Sequence, residues 1–509
     1  MNSLKPSSQF WKRPGTLISL IVLIALSQFT GTMLYRASSL KLFGSESNID
    51  SYYAASLLTM MTYHPSLLLH PNHSQSPGLM GRFQASYRAQ AVNKWESLFK
   101  KYPIPAVLRR EAVTLALLHA QGSQWVVEQI PKFSNSLGNE LARGTAAQAQ
   151  ESVFWGALYG KNPVPKQELP ALKETLKRLD LGWFENIALA QLYMKAGMRS
   201  PAVQAADSAE RTAELARSYL ALQLTFTIFG SLILFILILM LIVVPIMKLD
   251  LARIGRVSIQ PSLPPAPLLA VFLLYLSGMV GMFWVSAAIR SQITAYFHRH
   301  FAGYQLSLFL FLNLAMYTVI IVGIGLLLKR IFKSRDMETG SSSLRTIFIP
   351  PEYKPGSIPL ELALGFVVYL GLYPALKLTE AISGHFFSRF HTPVNPIVFT
   401  TLGVRSLPLA IGTLLLVGVL APIVEETMFR GVLYPALRNR MGITGAILLS
   451  SAVFASLHPD LPNGFLPIFI MGVFLASLRE WRQSLIPGIA LHSLINTILT
   501  FGLFLPSWR

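Results

Sequence analysis

The chain has no cysteine among its 509 residues. That single absence excludes disulfides, thiolate nucleophiles, cysteine-ligated zinc and iron–sulfur clusters. Charge is scarce too: 13% of residues are charged, against about 25% in an ordinary soluble domain. Acids are the scarcer sign, 24 Asp and Glu against 43 Lys and Arg. In a soluble protein a net charge of +19 would point to nucleic acid. Here 52% of the residues are hydrophobic, and apolar runs of about 20 residues recur, long enough to cross a bilayer. The bases then have a simpler explanation, because short cytoplasmic loops of membrane proteins collect Lys and Arg. Lipid is the expected surrounding, and no nucleic-acid partner is expected.

The patterning predicts an all-α polytopic membrane protein of about nine transmembrane helices, with a helical extracytoplasmic domain inserted after the first span. That first span, "GTLISLIVLIALSQFTGTMLY" (Gly15–Tyr35), follows Lys5, Lys12 and Arg13. It is too long for the core of a cleaved signal peptide, so residues 1–35 read as a cytoplasmic N-terminal tip and a retained anchor. Residues 36–218 are richer in charge and carry apolar residues at helical spacing, as in Arg110–Gln121 and Trp183–Met198. Pro103, Pro105, Pro163, Pro165 and Pro170 punctuate those helices. This is the expected extracytoplasmic domain, a candidate site for a protein partner.

Residues 219–335 read as further membrane helices, at Tyr219–Met247, Pro265–Ile289 and Tyr304–Leu328. Residues 336–357, "DMETGSSSLRTIFIPPEYKPGS", read as a cytoplasmic linker. Residues 358–509 form a last helical block, with spans at Ile358–Ala375, Leu407 through the Glu425–Glu426 pair, Gly442–Leu457, Phe465–Leu478 and Leu485–Leu505. With the N-terminus inside, Lys248, Arg253, Arg256, Lys329, Arg330, Lys333, Arg335, Arg345, Lys354, Arg430, Arg438, Arg440, Arg479 and Arg482 fall on the cytoplasmic side. Outer loops keep Arg290, Arg299, Lys377, Arg389 and Arg405. That asymmetry supports the orientation, and a bacterial plasma (inner) membrane is the expected location.

The chemistry sits near the C-terminus. "GTLLLVGVLAPIVEETMFRGVLYPAL" places Glu425, Glu426 and Arg430 in an apolar run. A charge at the bilayer centre costs about 2.5–3.5 kcal/mol on insertion scales, so such acids face a cavity or a partner. Adjacent residues point about 100° apart on a helix, so the two carboxylates are not expected to face one point. Glu426 and Arg430, four apart, share a face and pair, which leaves Glu425 to the interior. "FASLH" sets Phe454 four residues before His458, and "HSLIN" sets His492 four before Asn496. One carboxylate, two imidazoles and one carboxamide from three helices can then meet at water. Glu425 is the candidate base, with His458, His492 and Asn496 to hold the water or a developing oxyanion. The depths agree only if the sixth span continues past Arg430, as "GVLYPAL" suggests, with Pro422 placed to kink it.

Other readings use the same residues. The glutamates could sit among lipid headgroups, and His492 and Asn496 could glue helices together. A proton- or solute-coupled transporter could use Glu425 and the histidines as a relay, and a silent scaffold could bind partners through residues 36–218. Ser456 and Ser493 beside the histidines read as packing residues. His298 and His300 read as an interfacial patch, and His64, His70 and His73 as loop residues.

Taken together, E-E-x-x-x-R, F-x-x-x-H and H-x-x-x-N in this order on successive apolar helices resemble the CAAX protease and bacteriocin-processing family (CPBP, or Abi) of intramembrane proteases. The type II CAAX prenyl endopeptidase belongs to the same group. The resemblance runs from about Leu407 to Leu505. It implies an intramembrane endopeptidase acting on a membrane-associated protein or peptide. Glu425 and His458 would activate water, His492 and Asn496 would meet the scissile carbonyl, and Glu426, Arg430 and Phe454 would support them. Both a zinc site on Glu425, His458 and His492 and a metal-free glutamate mechanism are compatible with it; H-E-x-x-H is absent. The prenylated substrate of the eukaryotic relatives is not carried over.

Overall fold

The computed structural model describes residues 47–69, 79–101, 105–118, 145–179, 181–246, 358–387, 407–458 and 462–505, with shorter stretches between 268 and 279 and between 314 and 329. Among them the regular elements are all helices, as the apolar patterning predicts. Four described helices are long and apolar enough to cross a membrane: Arg199–Ile236, Ile358–Phe387, Leu407–Ser456 and Ile486–Phe504. The chain is an integral membrane protein. The anchor at Gly15–Tyr35, the linker at Asp336–Ser357, His70, His73, His298, His300 and most of the spans at Pro265–Ile289 and Tyr304–Leu328 lie outside the described residues.

The chain divides into two compact units. One comprises residues 41–222 with 401–406 and 501–509. Its helices are α1 (Ser47–Thr62), α2 (Ser66–Leu69), α3 (Leu79–Lys101), α4 (Pro105–Leu118), α5 (Thr145–Tyr159), α6 (Leu169–Arg178), α7 (Trp183–Lys195) and the first part of α8 (Arg199–Ile246). Pro105 opens α4 and Pro170 lies in the first turn of α6, positions where a missing N–H leaves no bond unmade. Large aromatics fill the core: Tyr63 meets Trp183 edge-on at 5.4 Å, and Trp95 meets Phe184 at 5.8 Å. Each polar tip is satisfied, Trp95 Nε1 donating to Thr59 Oγ1 (3.1 Å), Trp183 Nε1 to Ala209 O (2.9 Å) and Tyr63 Oη to Ala206 O (3.0 Å).

The sequence reading starts a helix at Tyr219, but α8 starts at Arg199. Hydropathy marks only where lipid could begin. Before that point Ala202, Ala206, Ala209, Ala213 and Ala216 are fully buried, a stripe at helical spacing that continues the same helix against aromatic neighbours.

The other unit comprises residues 1–40, 223–400 and 407–500. In it, α9 (Ile358–Phe387) runs past its expected end at Ala375, straight through Pro374. Proline removes one helical bond and frees the carbonyl four residues back, here that of Leu370. Gly230 of α8 lies against that spot, where an added Cβ would come 2.0 Å from Leu370 O. Then follow α10 (Leu407–Ser456), α11 (Phe465–Arg482) and α12 (Ile486–Phe504).

Within α10 the helix widens to π geometry twice, at Leu416–Leu420 and at Thr427–Leu433. Each widened stretch ends two residues before a proline, Pro422 and Pro435. A proline ring clashes with the carbonyl of the preceding turn, and a wider turn relieves the clash. Gly442 breaks α10 at φ 77°, ψ −177°, a conformation that side chains resist. The sequence reading starts a new span there. The helix upstream of that break runs from Leu407 past Arg430, so Glu425 lies near its middle.

Buried ion pairs tie α9, α10 and α11. Glu361, fully buried, accepts from Arg482 Nε at 2.9 Å. Glu480 accepts from Tyr434 Oη (2.7 Å), Arg438 Nε (2.7 Å) and Arg438 Nη2 (2.9 Å).

Candidate active site

The centre of the site is His492, on α12 and 2% exposed. Its Nδ1 lies 3.0 Å from Glu426 Oε1, and its Nε2 lies 3.7 Å from Glu425 Oε2. An ionised carboxylate only accepts, so Nδ1 is the donor to Glu426, and Nε2 faces Glu425. At 3.7 Å that second contact is longer than a direct hydrogen bond. Glu425 is the more open of the two acids, its side chain 19% exposed against 1% for Glu426.

This corrects the expectation that adjacent glutamates cannot face one point. The imidazole offers nitrogens on two edges, and each glutamate reaches one of them through three rotatable bonds. A rotation of about 100° between Cα–Cβ vectors therefore still lets both carboxylates end at one ring.

Glu426 and Arg430 pair as their spacing predicts, Nη1 to Oε1 at 3.0 Å, with both side chains 1% exposed. The guanidinium also donates to Gly472 O (3.2 Å) from Nη2 and lies over the Phe454 ring, 4.4 Å from its centre. Both charges are thus desolvated but paired, bonded and stacked, the condition for tolerating them. Gly488 leaves room beside the acid: a Cβ there would lie 3.3 Å from Glu426 Oε2.

Phe454 is the hub of the aromatic side. The His458 ring meets it at 4.6 Å and the His492 ring at 5.8 Å, both edge-on. His458 Nδ1 lies 2.8 Å from Phe454 O, which can only accept, so Nδ1 is the donor. Among the described residues His458 is bonded to neither carboxylate; Phe454 links it to the rest.

Asn496, one turn beyond His492, donates from Nδ2 to Val417 O at 3.0 Å. The reason lies in the π stretch. Ala421 N–H bonds Leu416 O, five residues back, and in that register the partner of Val417 O is the nitrogen of Pro422, which has no hydrogen. The carbonyl left over is the one Asn496 takes. Sequence reading singled out Asn496 and Pro422 separately and missed this connection, along with the Gly472 carbonyl. The signal was present, since a proline always leaves a carbonyl to be satisfied.

The resemblance offered Glu425, His458 and His492 as zinc ligands. Among the described residues no three His, Asp or Glu side chains converge to hold a metal ion. What the site does hold is a part-exposed carboxylate, two imidazoles and an amide N–H donor, walled by apolar residues.

Comparison with known proteins gives one family. The family model described as Rce1-like, type II CAAX prenyl endopeptidase Rce1-like, matches residues 406–498. An uncharacterized 24.3 kDa protein of Escherichia coli is 32% identical over 142 residues, 27% of this chain and 60% of that protein. The chain thus spans about 60% of that relative's length. No solved structure matches.

Proposed function

We propose that this chain, whose residues 406–498 match the Rce1-like type II CAAX prenyl endopeptidase family model, is an intramembrane endopeptidase. Its substrate is a membrane-associated protein or peptide, and Glu425 activates the attacking water. The supporting observation is the flanking of His492 by Glu425 at 3.7 Å and Glu426 at 3.0 Å. A relay for transport would string such groups along a path; here they gather around one ring.

In this reading water lies between Glu425 and the Nε2 atoms of the histidines. Glu425 takes one proton as the oxygen attacks the scissile carbonyl, and His458 accepts the other hydrogen. Asn496 spends one N–H on Val417 O and has a second for the oxyanion. Glu425 then passes its proton to the amide nitrogen, the C–N bond breaks, and a carboxylate and an amine leave. Glu426 and Arg430 hold His492 in place.

The charge asymmetry of the loops supports a cytoplasmic N-terminus in a bacterial plasma membrane, with residues 36–218 outside as a unit for substrate or partner. The test is isotopic. Purified protein in vesicles, given a membrane-anchored peptide library in ¹⁸O-water, should place ¹⁸O in each new C-terminal carboxylate, and Glu425→Gln should place none. Cleavage by Glu425→Gln at the wild-type rate would reject the assignment.

A further inference from the structure

Two helices reach the turn of α12 that leads into His492, and a glycine admits each. Gly488 and His492, four residues apart and so on one face, both meet Glu426 of α10. His492 Nδ1 lies 3.0 Å from Oε1, and a Cβ at Gly488 would lie 3.3 Å from Oε2. Another face of the same turn meets Gly365 of α9. A Cβ added there would come 2.7 Å from Pro487 O, 2.8 Å from Ala490 Cβ and 3.1 Å from Leu491 N. Non-bonded carbons rest about 3.5–4.0 Å apart, so an added methyl needs about 1 Å of movement. None of the three obstacles is a flexible side-chain tip. Two are α12 backbone and one is a Cβ, all within the five residues before His492.

The wall on the α9 side is held in place. One turn before Gly365, Glu361 is fully buried and accepts from Arg482 Nε at 2.9 Å. One turn after it, Tyr369 is buried and meets Phe226 of α8 edge-on at 5.4 Å. The next carbonyl, that of Leu370, lies against Gly230. With α9 fixed on both sides of Gly365, α12 is the element that yields. Space is what this glycine supplies: farther along α9, a Cβ at Gly384 would meet nothing within 4 Å.

We propose that Gly365, which lies outside the segment matching the family model, is a positioning residue. By admitting α9 against the backbone of α12, it sets where the His492 ring stands between Glu425 and Glu426. The catalytic consequence rests on the endopeptidase reading; the seating of the ring does not.

The test uses the full chain, with ¹⁵N-labelled histidine, in phosphatidylethanolamine–phosphatidylglycerol vesicles. Solid-state NMR signals that vanish in His492→Gln belong to the His492 ring. Gly365→Ala should move those signals, and Gly384→Ala, the same change on the same helix, should leave them in place. Ala490→Gly, which takes a methyl out of the contact, should move them in the opposite sense. The double variant Gly365→Ala with Ala490→Gly has one methyl again and should bring them back toward wild type. On a membrane-anchored, internally quenched peptide library, Gly365→Ala should lose roughly tenfold to a hundredfold in kcat with KM unchanged, the scale of a 1 Å misplacement. The double variant should recover part of that loss. Should Gly365→Ala fold poorly, Ala490→Gly and the double variant carry the same test. Ring signals unmoved in the folded variants overturn the proposal, as does a rise in KM alone or an equal effect from Gly384→Ala. If Glu425→Gln cleaves like wild type, the endopeptidase reading fails, while the ring signals still report whether Gly365 seats His492.

Discussion

At the residue scale two adjacent acids carry opposite duties, and their surroundings separate them. Glu426 is bonded to a guanidinium and an imidazole, all within 2% of full burial; Glu425 keeps some exposure and no arginine. Removing one partner of a buried pair strands the other at a cost of about 3–5 kcal/mol. Glu426→Gln should therefore lower unfolding stability in detergent by about 3 kcal/mol or more, whereas Glu425→Gln should stay within about 1 kcal/mol of wild type while losing turnover. Equal melting of the two variants would contradict the division. Arg430→Lys should also destabilise, because an ammonium cannot both fork to Glu426 and Gly472 O and lie flat on Phe454. The Glu426–Arg430 pair was legible as an i, i+4 spacing. The shared ring was not, because spacing reports where Cβ atoms point and not where three flexible bonds can carry a carboxylate.

At the scale of elements, α10 places the site through its two widened turns. π turns inside α-helices recur at functional sites, and here their cause is a proline beyond each. Pro422→Ala should restore an N–H for Val417 O and release Asn496 from it. The expected outcome is unchanged or raised thermal stability with kcat reduced several-fold, read by paired melting and turnover measurements; unchanged kcat would detach Asn496 from the chemistry. Gly442→Ala should cost about 1–2 kcal/mol, the penalty of a side chain at left-handed φ, measurable as a lower melting temperature. Pro422 and Gly442 could both be picked out from sequence. The true ends of α8 and α9 could not, since an alanine stripe and a proline satisfied by a neighbouring glycine are matters of packing, and hydropathy sees only lipid.

At the scale of the whole molecule, the helical class, the membrane setting and the order of the three motifs were readable because each depends on local pattern. Assembly of the motifs was not, since it depends on how α10 and α12 pack. The donors proposed for zinc do not converge among the described residues, so a strong chelator should leave the hydrolytic rate of purified protein unchanged; loss restored by zinc alone would reverse that view.

The central claim is that Glu425 cuts peptide bonds at the membrane. The most direct measurement is a comparison of all protein and peptide termini in membranes from cells carrying wild type or Glu425→Gln. At least one wild-type terminus should vanish in the variant while its uncut precursor accumulates. Identical termini, with both proteins present at equal abundance, would contradict the account.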